Sequence, residues 1–212
     1  MKRNKRISEE TGRVYGWIPD IPDHRDFRYA VKRATMDNLP PSANLRGSLM
    51  PEVYDQENIG SCTSNAIGGA YEFNQMKQGF QAFIPSRLFV YYNEREMEGT
   101  TNEDAGAMIR DGMKSVAAQG VCPETEWVYH KTNLFVKPPE SCYQHATEHQ
   151  VLAYQRVDQT IDQMRGCLAE GYPFVMGISI YSSFESSDVK RTGVVPMPGR
   201  PNSSAIPTRP FE

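Results

Sequence analysis

The stretch that decides the fold is YDQENIGSCTSNA, residues 54–66. Gln56 precedes Cys62 by six positions, a Gly-Ser pair lies between them, and a helix-like pattern begins at the cysteine. The pattern predicts a thiol at the N-terminus of a helix, with a side-chain amide close to it. Because that end of a helix carries roughly half a positive charge, it favours thiolate over thiol. A thiolate beside an amide donor is the core of a cysteine-dependent acyl-transfer site.

The elements around this stretch predict an α+β fold. Apolar residues at helical spacing predict a helix from Cys62 to about Gln78, and later helices near 86–97, 105–119 and 160–170. The apolar run PFVMGISI, residues 173–180, is the clearest strand, and residues 192–197 resemble a strand end. Helices in the first two thirds followed by late strands are typical of an α+β protein with a helical lobe and a sheet lobe.

The chain divides into three parts by composition. Residues 1–38 contain proline-punctuated stretches and are expected to form an extended N-terminal segment. Residues 39–199 are expected to form the folded domain. Residues 200–212 are rich in Pro and Ser with little to bury, so we expect a disordered tail.

Composition excludes several classes of function. A net charge of −3 does not suggest nucleic-acid binding. No apolar run approaches the roughly 20 residues that cross a bilayer, so no membrane partner is expected. The basic N-terminus leads into no apolar region, so no signal peptide is expected and a cytoplasmic location is favoured.

The cysteines and histidines outside the opening stretch give weaker signals. Cys122 and Cys142 are candidates for a disulfide, although free or buried thiols in a reducing cytosol are favoured. Cys142, His145 and His149 suggest a metal site, but a solvated helical face is favoured because no fourth ligand is evident. Since phosphate-loop and dinucleotide motifs are also missing, no metal and no cofactor are expected.

The sequence resembles the papain-like cysteine peptidases. The Gln-x5-Cys spacing of residues 56–62 matches the signature of that family, and residues 40–46 resemble its mature-domain entry. Residues 104–106 ahead of a helix resemble the segment that forms one wall of its substrate groove. Thr63 follows the cysteine, as in the microbial and viral branch, where other members have Trp. The resemblance extends over residues 15–198.

The resemblance implies a two-lobed fold, with a helical lobe followed by an antiparallel β lobe and a peptide groove between them. It assigns Cys62 as the nucleophile and Gln56 as an oxyanion donor. It places Gly60, Ser61 and Gly106 among the substrate-binding residues, and it implies a peptide or protein substrate.

The chain departs from the family where the catalytic His and Asn are expected. Neither a Gly-His-Ala-like nor an Asn-Ser-Trp-Gly segment follows the predicted strand region, and all four histidines precede residue 173. None of these four is expected to be the catalytic base. We therefore expect a C-terminally incomplete β lobe and impaired peptide hydrolysis, as in a truncated or frame-disrupted peptidase.

Two alternatives stay open. One is a non-catalytic homologue that binds peptides or a protein partner. The other is completion of the catalytic pair by a second chain, or by one of the histidines present. Unpaired strand edges carrying Val175, Ile178 and Ile180 would make an incomplete sheet prone to aggregation, so we also expect poor solubility or a partner that completes the β lobe.

Overall fold

Helices dominate the structure, a computed structural model that describes residues 6–7, 12–47 and 49–197. The predicted tail at 200–212 lies outside these residues. The α-helices are α1 (Arg33–Asp37), α2 (Cys62–Lys77), α3 (Arg87–Glu98), α4 (Ile109–Ala118), α5 (Glu140–Ala146), α6 (Ile161–Ala169) and α7 (Ser187–Thr192). Single turns of 3-10 helix lie at Lys131–Asn133, Thr147–His149 and Ser182–Glu185.

The described residues form four two-residue strands in two pairs, and one pair joins the N-terminal segment to the helical body. Strand β1 (Arg6–Ile7) pairs antiparallel with β2 (Val14–Tyr15), with Arg6 opposite Tyr15. Strand β3 (Trp17–Ile18) pairs parallel with β4 (Ala107–Met108), with Trp17 opposite Ala107. The second pair fastens the N-terminal segment beside the start of α4.

Helix α3 is the central element, and α2 and α4 both pack against it. It begins at a cap in which the Ser86 hydroxyl accepts a hydrogen bond from the Phe89 N–H, and it ends at Gly99 in the left-handed conformation. Every residue from Leu88 to Arg95 is buried. Leu88 packs with Ile59 in one apolar cluster, and Val90 packs with Ile67 and Val116 in another. Burying both faces of α3 therefore fixes α2, and with it Cys62.

Two sequence predictions differ from the structure at the start of α4 and in the N-terminal segment. The third helix begins at Ile109 rather than near residue 105, because the backbone of Ala107–Met108 pairs with β3 before the helix starts. The N-terminal segment, predicted to be extended and irregular, contains the five-residue helix α1.

The strand prediction for residues 173–180 is wrong. No strand is assigned there, and the segment has no strand partner within the described part of the chain. Its apolar residues instead contact the helical body: Val175 packs against the cluster of Ile67 and Val116, and Gly177 lies against the Trp17 ring. An apolar run predicts burial, but a strand also needs a neighbouring backbone to pair with.

The strand end predicted at 192–197 is also wrong, because α7 ends at Thr192 and residues 193–197 form no strand. An antiparallel lobe of late strands is therefore not seen in the described residues, and the antiparallel pair that they contain is β1–β2. The α+β class itself is confirmed by the helices and these short strands.

None of the helices in the described ranges is both long enough and apolar enough to span a membrane.

A chain of hydrogen bonds ties the loop before Cys62 to the segment before β4. Gly106 N–H donates to the Tyr91 hydroxyl at 3.0 Å, and that hydroxyl donates to Asp104 Oδ1 at 2.7 Å. The same carboxylate oxygen accepts the Gly60 N–H at 2.9 Å. Tyr91 is fully buried, so each of these groups depends on the others for a partner.

We expect Tyr91→Phe to lower the free energy of unfolding by about 2 kcal/mol, because it removes the acceptor of the buried Gly106 N–H. Urea denaturation measures the loss. Tyr92→Phe, in the same helix, is the matched control, since the Tyr92 hydroxyl makes no hydrogen bond to the described residues. An equal effect of the two substitutions would show that the hydrogen-bond chain contributes nothing to stability.

Candidate active site

Cys62 is the first residue of α2 and is partly buried. Helical hydrogen bonding begins just before it, where Ser61 O accepts the Asn65 N–H at 3.0 Å. The sequence prediction of a thiol at the N-terminus of this helix is confirmed. Two side chains of the first turn, Ser64 and Asn65, also donate to Ser61 O, which fixes the entry to the helix.

Tyr129 holds the loop that leads from Gln56 to Cys62. Its hydroxyl donates to Gln56 O at 2.9 Å and lies 2.6 Å from Ser61 Oγ. Its ring lies under the Arg87 guanidinium, 4.0 Å from the ring centre, and Arg87 also pairs with Glu124. A loop fixed at both ends keeps the thiol in one position, as a nucleophile requires.

The Gln56 amide is engaged with two main-chain carbonyls. Its Nε2 donates to Val14 O at 2.8 Å and to Ile59 O at 3.1 Å. Because an amide nitrogen carries two hydrogens, both donors are in use in this conformation. The Val14 carbonyl belongs to the N-terminal segment, so movement of that segment would free one donor of Gln56.

The backbone of Gly16 lies against the thiol. The Gly16 main chain lowers the pKa of the Cys62 thiol, and Gly16 O accepts the Ala107 N–H at 2.8 Å. A Cβ on Gly16 would come within 1.8 Å of Gly60 O, and a Cβ on Gly106 would come within 1.9 Å of Gly16 O. Only glycines fit such a close approach of three backbone segments.

Burial is the chief influence on the thiol and raises the pKa of Cys62 above its usual value. The N–H groups of Gly16 and Thr63 lower that pKa, and the charge of Glu94 raises it. The sequence pattern had favoured a thiolate through the helix dipole. In this covered arrangement desolvation outweighs the helix terminus, because transfer of a charge out of water costs more than partial charges return.

Cys62 and Gln56 open into one cavity of about 240 Å³. Tyr15 and Trp17 of the N-terminal segment form part of its wall, and residues 175–180 form another part. Further lining comes from Thr63, Ala66, Ile109 and Phe184. The segment that was predicted to be a strand therefore lines the cavity of the candidate nucleophile.

The other predicted site residues, Gly60, Ser61 and Gly106, do not line the cavity. Gly60 and Gly106 contact the backbone of Gly16, and the Gly106 φ angle of 75° requires a glycine. Ser61 is fully buried, with its hydroxyl directed to Tyr129.

The structure brings no histidine to Cys62 among the residues it describes, and none lines the cavity. His130 Nδ1 lies 2.8 Å from the Thr132 hydroxyl, and His145 Nδ1 lies 2.9 Å from Glu126. The His149 ring packs on Phe83, with ring centres 4.6 Å apart. His24 is exposed.

A buried glutamate beneath the cavity was not singled out by the sequence. Glu94 is fully buried and accepts the Thr63 hydroxyl at 2.8 Å, while its Oε1 has no hydrogen-bond partner in the described structure. Burial raises the pKa of Glu94 well above its usual value. No signal in the sequence marks this residue, because an acidic residue inside a helix is usually exposed.

Asp104 belongs to the segment that resembles one wall of the family's substrate groove, and its carboxylate joins Gly60 to Tyr91. The signal in the sequence that could have indicated this role was the position of Asp104 two residues before Gly106.

Comparisons with known proteins agree with this geometry. No family model matches the chain. An uncharacterized peptidase C1-like protein of Acanthamoeba polyphaga mimivirus is 37% identical over 210 residues, covering 88% of this chain and 68% of the viral protein. The crystal structure of xylellain, a cysteine protease from Xylella fastidiosa, superposes with a TM-score of 0.80 at 42% identity, covering 88% of this chain and 74% of xylellain.

A third similarity concerns the fold alone. Digestive procathepsin L 3 of the Tenebrio molitor larval midgut superposes with a TM-score of 0.53 at 15% identity, over 69% of this chain and 46% of that protein.

These similarities and the helix-borne thiol define a cysteine peptidase of papain-like fold. The chain belongs to the papain-like C1 family of cysteine peptidases.

We expect Gly16→Ala to displace the N-terminal segment, because the added methyl group cannot fit 1.8 Å from Gly60 O. Cys62 then regains water, and its alkylation by iodoacetamide at neutral pH accelerates about tenfold for each unit by which its pKa falls. Mass spectrometry of the labelled peptide gives the rate. Gly47→Ala, where a methyl group meets nothing within 4 Å, is the control. An unchanged rate in Gly16→Ala would mean that Gly16 does not restrict the thiol.

We expect Glu94 to make the protein less stable as the pH rises. Between the ordinary glutamate pKa of about 4.3 and the raised pKa of the folded state, only the unfolded chain has lost the proton, so stability falls by up to about 1.4 kcal/mol per pH unit. Glu94→Gln should flatten this slope in urea denaturation between about pH 5 and pH 7. The exposed Glu96→Gln serves for comparison. If the slope persists in Glu94→Gln, the pH dependence of stability comes from other groups.

Proposed function

We propose that this chain carries out papain-type, thiol-dependent hydrolysis of peptide bonds, with Cys62 as nucleophile. The observation that carries the proposal is the position of Cys62 at the first residue of α2, beside Gln56 in a cavity. The thiolate attacks the scissile carbonyl, and a main-chain N–H at the helix terminus together with Gln56 Nε2 binds the developing oxyanion. The cavity takes a peptide or protein substrate.

Access to this site requires the N-terminal segment to move. Its Tyr15 and Trp17 line the cavity at Cys62, and its Val14 carbonyl occupies one donor of Gln56. Displacement of residues 14–18 would therefore expose the thiol and release an oxyanion donor together. Gly60 and Gly106, which now contact Gly16, are the positions where substrate backbone would replace that segment.

We further propose that the described domain turns over slowly, because its cavity contains the thiol without an imidazole. No histidine of the described residues faces Cys62, so proton transfer from the thiol has no internal base. A second chain that completes the β lobe would be one source of that base.

The alternative is a non-catalytic papain-like homologue that binds peptides or a protein partner in the same cavity. The raised pKa of Cys62 favours this alternative, because a protonated thiol is a poor nucleophile.

A fluorogenic peptide assay with free imidazole tests the proposal. We expect slow hydrolysis by the wild-type chain, with little acceleration by imidazole because the thiol is covered. Imidazole as an external base should accelerate Gly16→Ala, in which the segment is displaced, and Cys62→Ala should not hydrolyse the peptide at any imidazole concentration. In the presence of imidazole, Gln56→Ala should lower the rate by about 10²-fold or more, the usual effect of removing an oxyanion donor.

Two results would contradict the proposal. Hydrolysis that persists in Cys62→Ala would remove Cys62 from the reaction. Peptide binding without hydrolysis, with and without imidazole, in both wild type and Gly16→Ala would favour the non-catalytic homologue.

A further inference from the structure

Two buried thiols and a carboxylate converge where α5 lies against the turn at residues 122–127. The sulfurs of Cys122 and Cys142 and a carboxylate oxygen of Glu126 all lie within 4.8 Å of one another. The two cysteines are 0% and 1% exposed, whereas Glu126 reaches the surface. None of the three lines the cavity at Cys62, so this cluster is separate from the candidate active site.

The backbone around the cluster is held in place on both sides. Cys122 O accepts the Ser86 N–H at the start of α3, and the Glu126 N–H donates to Pro123 O in a turn. Cys142 lies in α5, where its sulfur contacts Glu126 O at 3.8 Å. Phe89 and Ala146 pack around the two thiols. The backbone segments that carry the three ligand side chains are therefore held in place by main-chain hydrogen bonds.

We propose that Cys122, Cys142 and Glu126 bind a divalent soft metal ion, with Zn²⁺ as the ion that fits best. Tetrahedral zinc with bonds of about 2.3 Å to sulfur separates two thiolates by about 3.8 Å, within the spacing observed. Thiolate ligands select Zn²⁺ over Mg²⁺ or Ca²⁺, which prefer oxygen. Since Glu126 is partly exposed, water can supply the fourth ligand.

His145 supports the same assignment as a positioning residue. Its Nδ1 lies 2.9 Å from Glu126 Oε1, and it follows Cys142 by three residues, which places both on one face of α5. A hydrogen bond of this kind orients a ligating carboxylate, and its loss typically weakens metal binding by about 10- to 100-fold.

Binding of the ion would change the protonation of the two thiols. Zinc binds cysteine as the thiolate, so both thiols must lose their protons when the ion binds. Binding of one Zn²⁺ releases both thiol protons and forms two zinc–sulfur bonds, with no oxidation or reduction. The ion would thereby join α5 to the turn beside the start of α3, an arrangement that stabilises the folded chain.

Zinc analysis of the full chain tests the proposal. After reduction, removal of metal and addition of ZnCl2 without oxygen, we expect one Zn²⁺ per chain in the wild type, in Cys62→Ser and in Cys167→Ser. We expect no bound Zn²⁺ in Cys122→Ser or Cys142→Ser, and a weaker affinity in Glu126→Gln and His145→Ala. Mass spectrometry of the metal and chelator competition give these values.

Cobalt substitution and thermal unfolding extend the test to variants that keep their core intact. Co²⁺ should give a thiolate charge-transfer band in the wild type, weakened or shifted in Glu126→Gln and unaltered in Cys62→Ser. Zn²⁺, but not Mg²⁺, should raise the melting temperature of the wild type and less so that of His145→Ala.

Three outcomes would overturn the proposal. The first is a reduced wild-type chain that takes up no Zn²⁺. The second is equal zinc content in the wild type, Glu126→Gln and Cys122→Ser. The third is a Cys122–Cys142 disulfide in peptide maps together with no zinc binding after its reduction.

Discussion

The Asp104 carboxylate is the constraint on which the candidate site depends. One of its oxygens accepts the Gly60 N–H, from the loop before Cys62, and the Tyr91 hydroxyl, from the central helix. Through Tyr91 it also fixes the Gly106 N–H. The two glycines that contact Gly16 are thus held at one separation by a single buried hydrogen-bond chain. Hydrogen bonds to a carboxylate are charge-assisted and therefore stronger than those that a neutral amide oxygen would accept.

The sequence predicted the helices around the site well, and the reasons are local. The α2 helix begins at Cys62 and the α3 helix follows Ser86, because a turn, a cap residue and apolar spacing are all legible in neighbouring residues. The family resemblance, resting on Gln56 and Cys62, is confirmed by the relatives. The roles of Asp104 and Tyr91 escaped prediction, since their contacts depend on residues far apart in the chain.

The wrong strand prediction at 173–180 also arises because non-local contacts cannot be read from neighbouring residues. Its apolar residues are a local property, and the structure does use them: Val175 contacts the helical core, and residues 175–180 line the cavity. Strand pairing is not local, because it needs a second backbone at about 4.8 Å. Met176 and Ile178 are about half exposed, whereas Val175 and Gly177 are less exposed, so residues 175–178 keep a strand-like alternation of sides that ends at the exposed Ser179.

The protonation of Cys62 follows from what covers it rather than from its helix alone. The helix terminus and the Gly16 N–H both favour the thiolate, yet burial by the N-terminal segment reverses their effect. The same segment engages Gln56 through Val14 O. Thiol ionisation and oxyanion binding are therefore coupled to one conformational variable, the position of residues 14–18. If a base were supplied while the segment stayed in place, the thiol would still be covered. If the segment moved without a base, the thiol would be exposed but no group would take its proton. Efficient hydrolysis consequently requires both changes, and neither alone is sufficient.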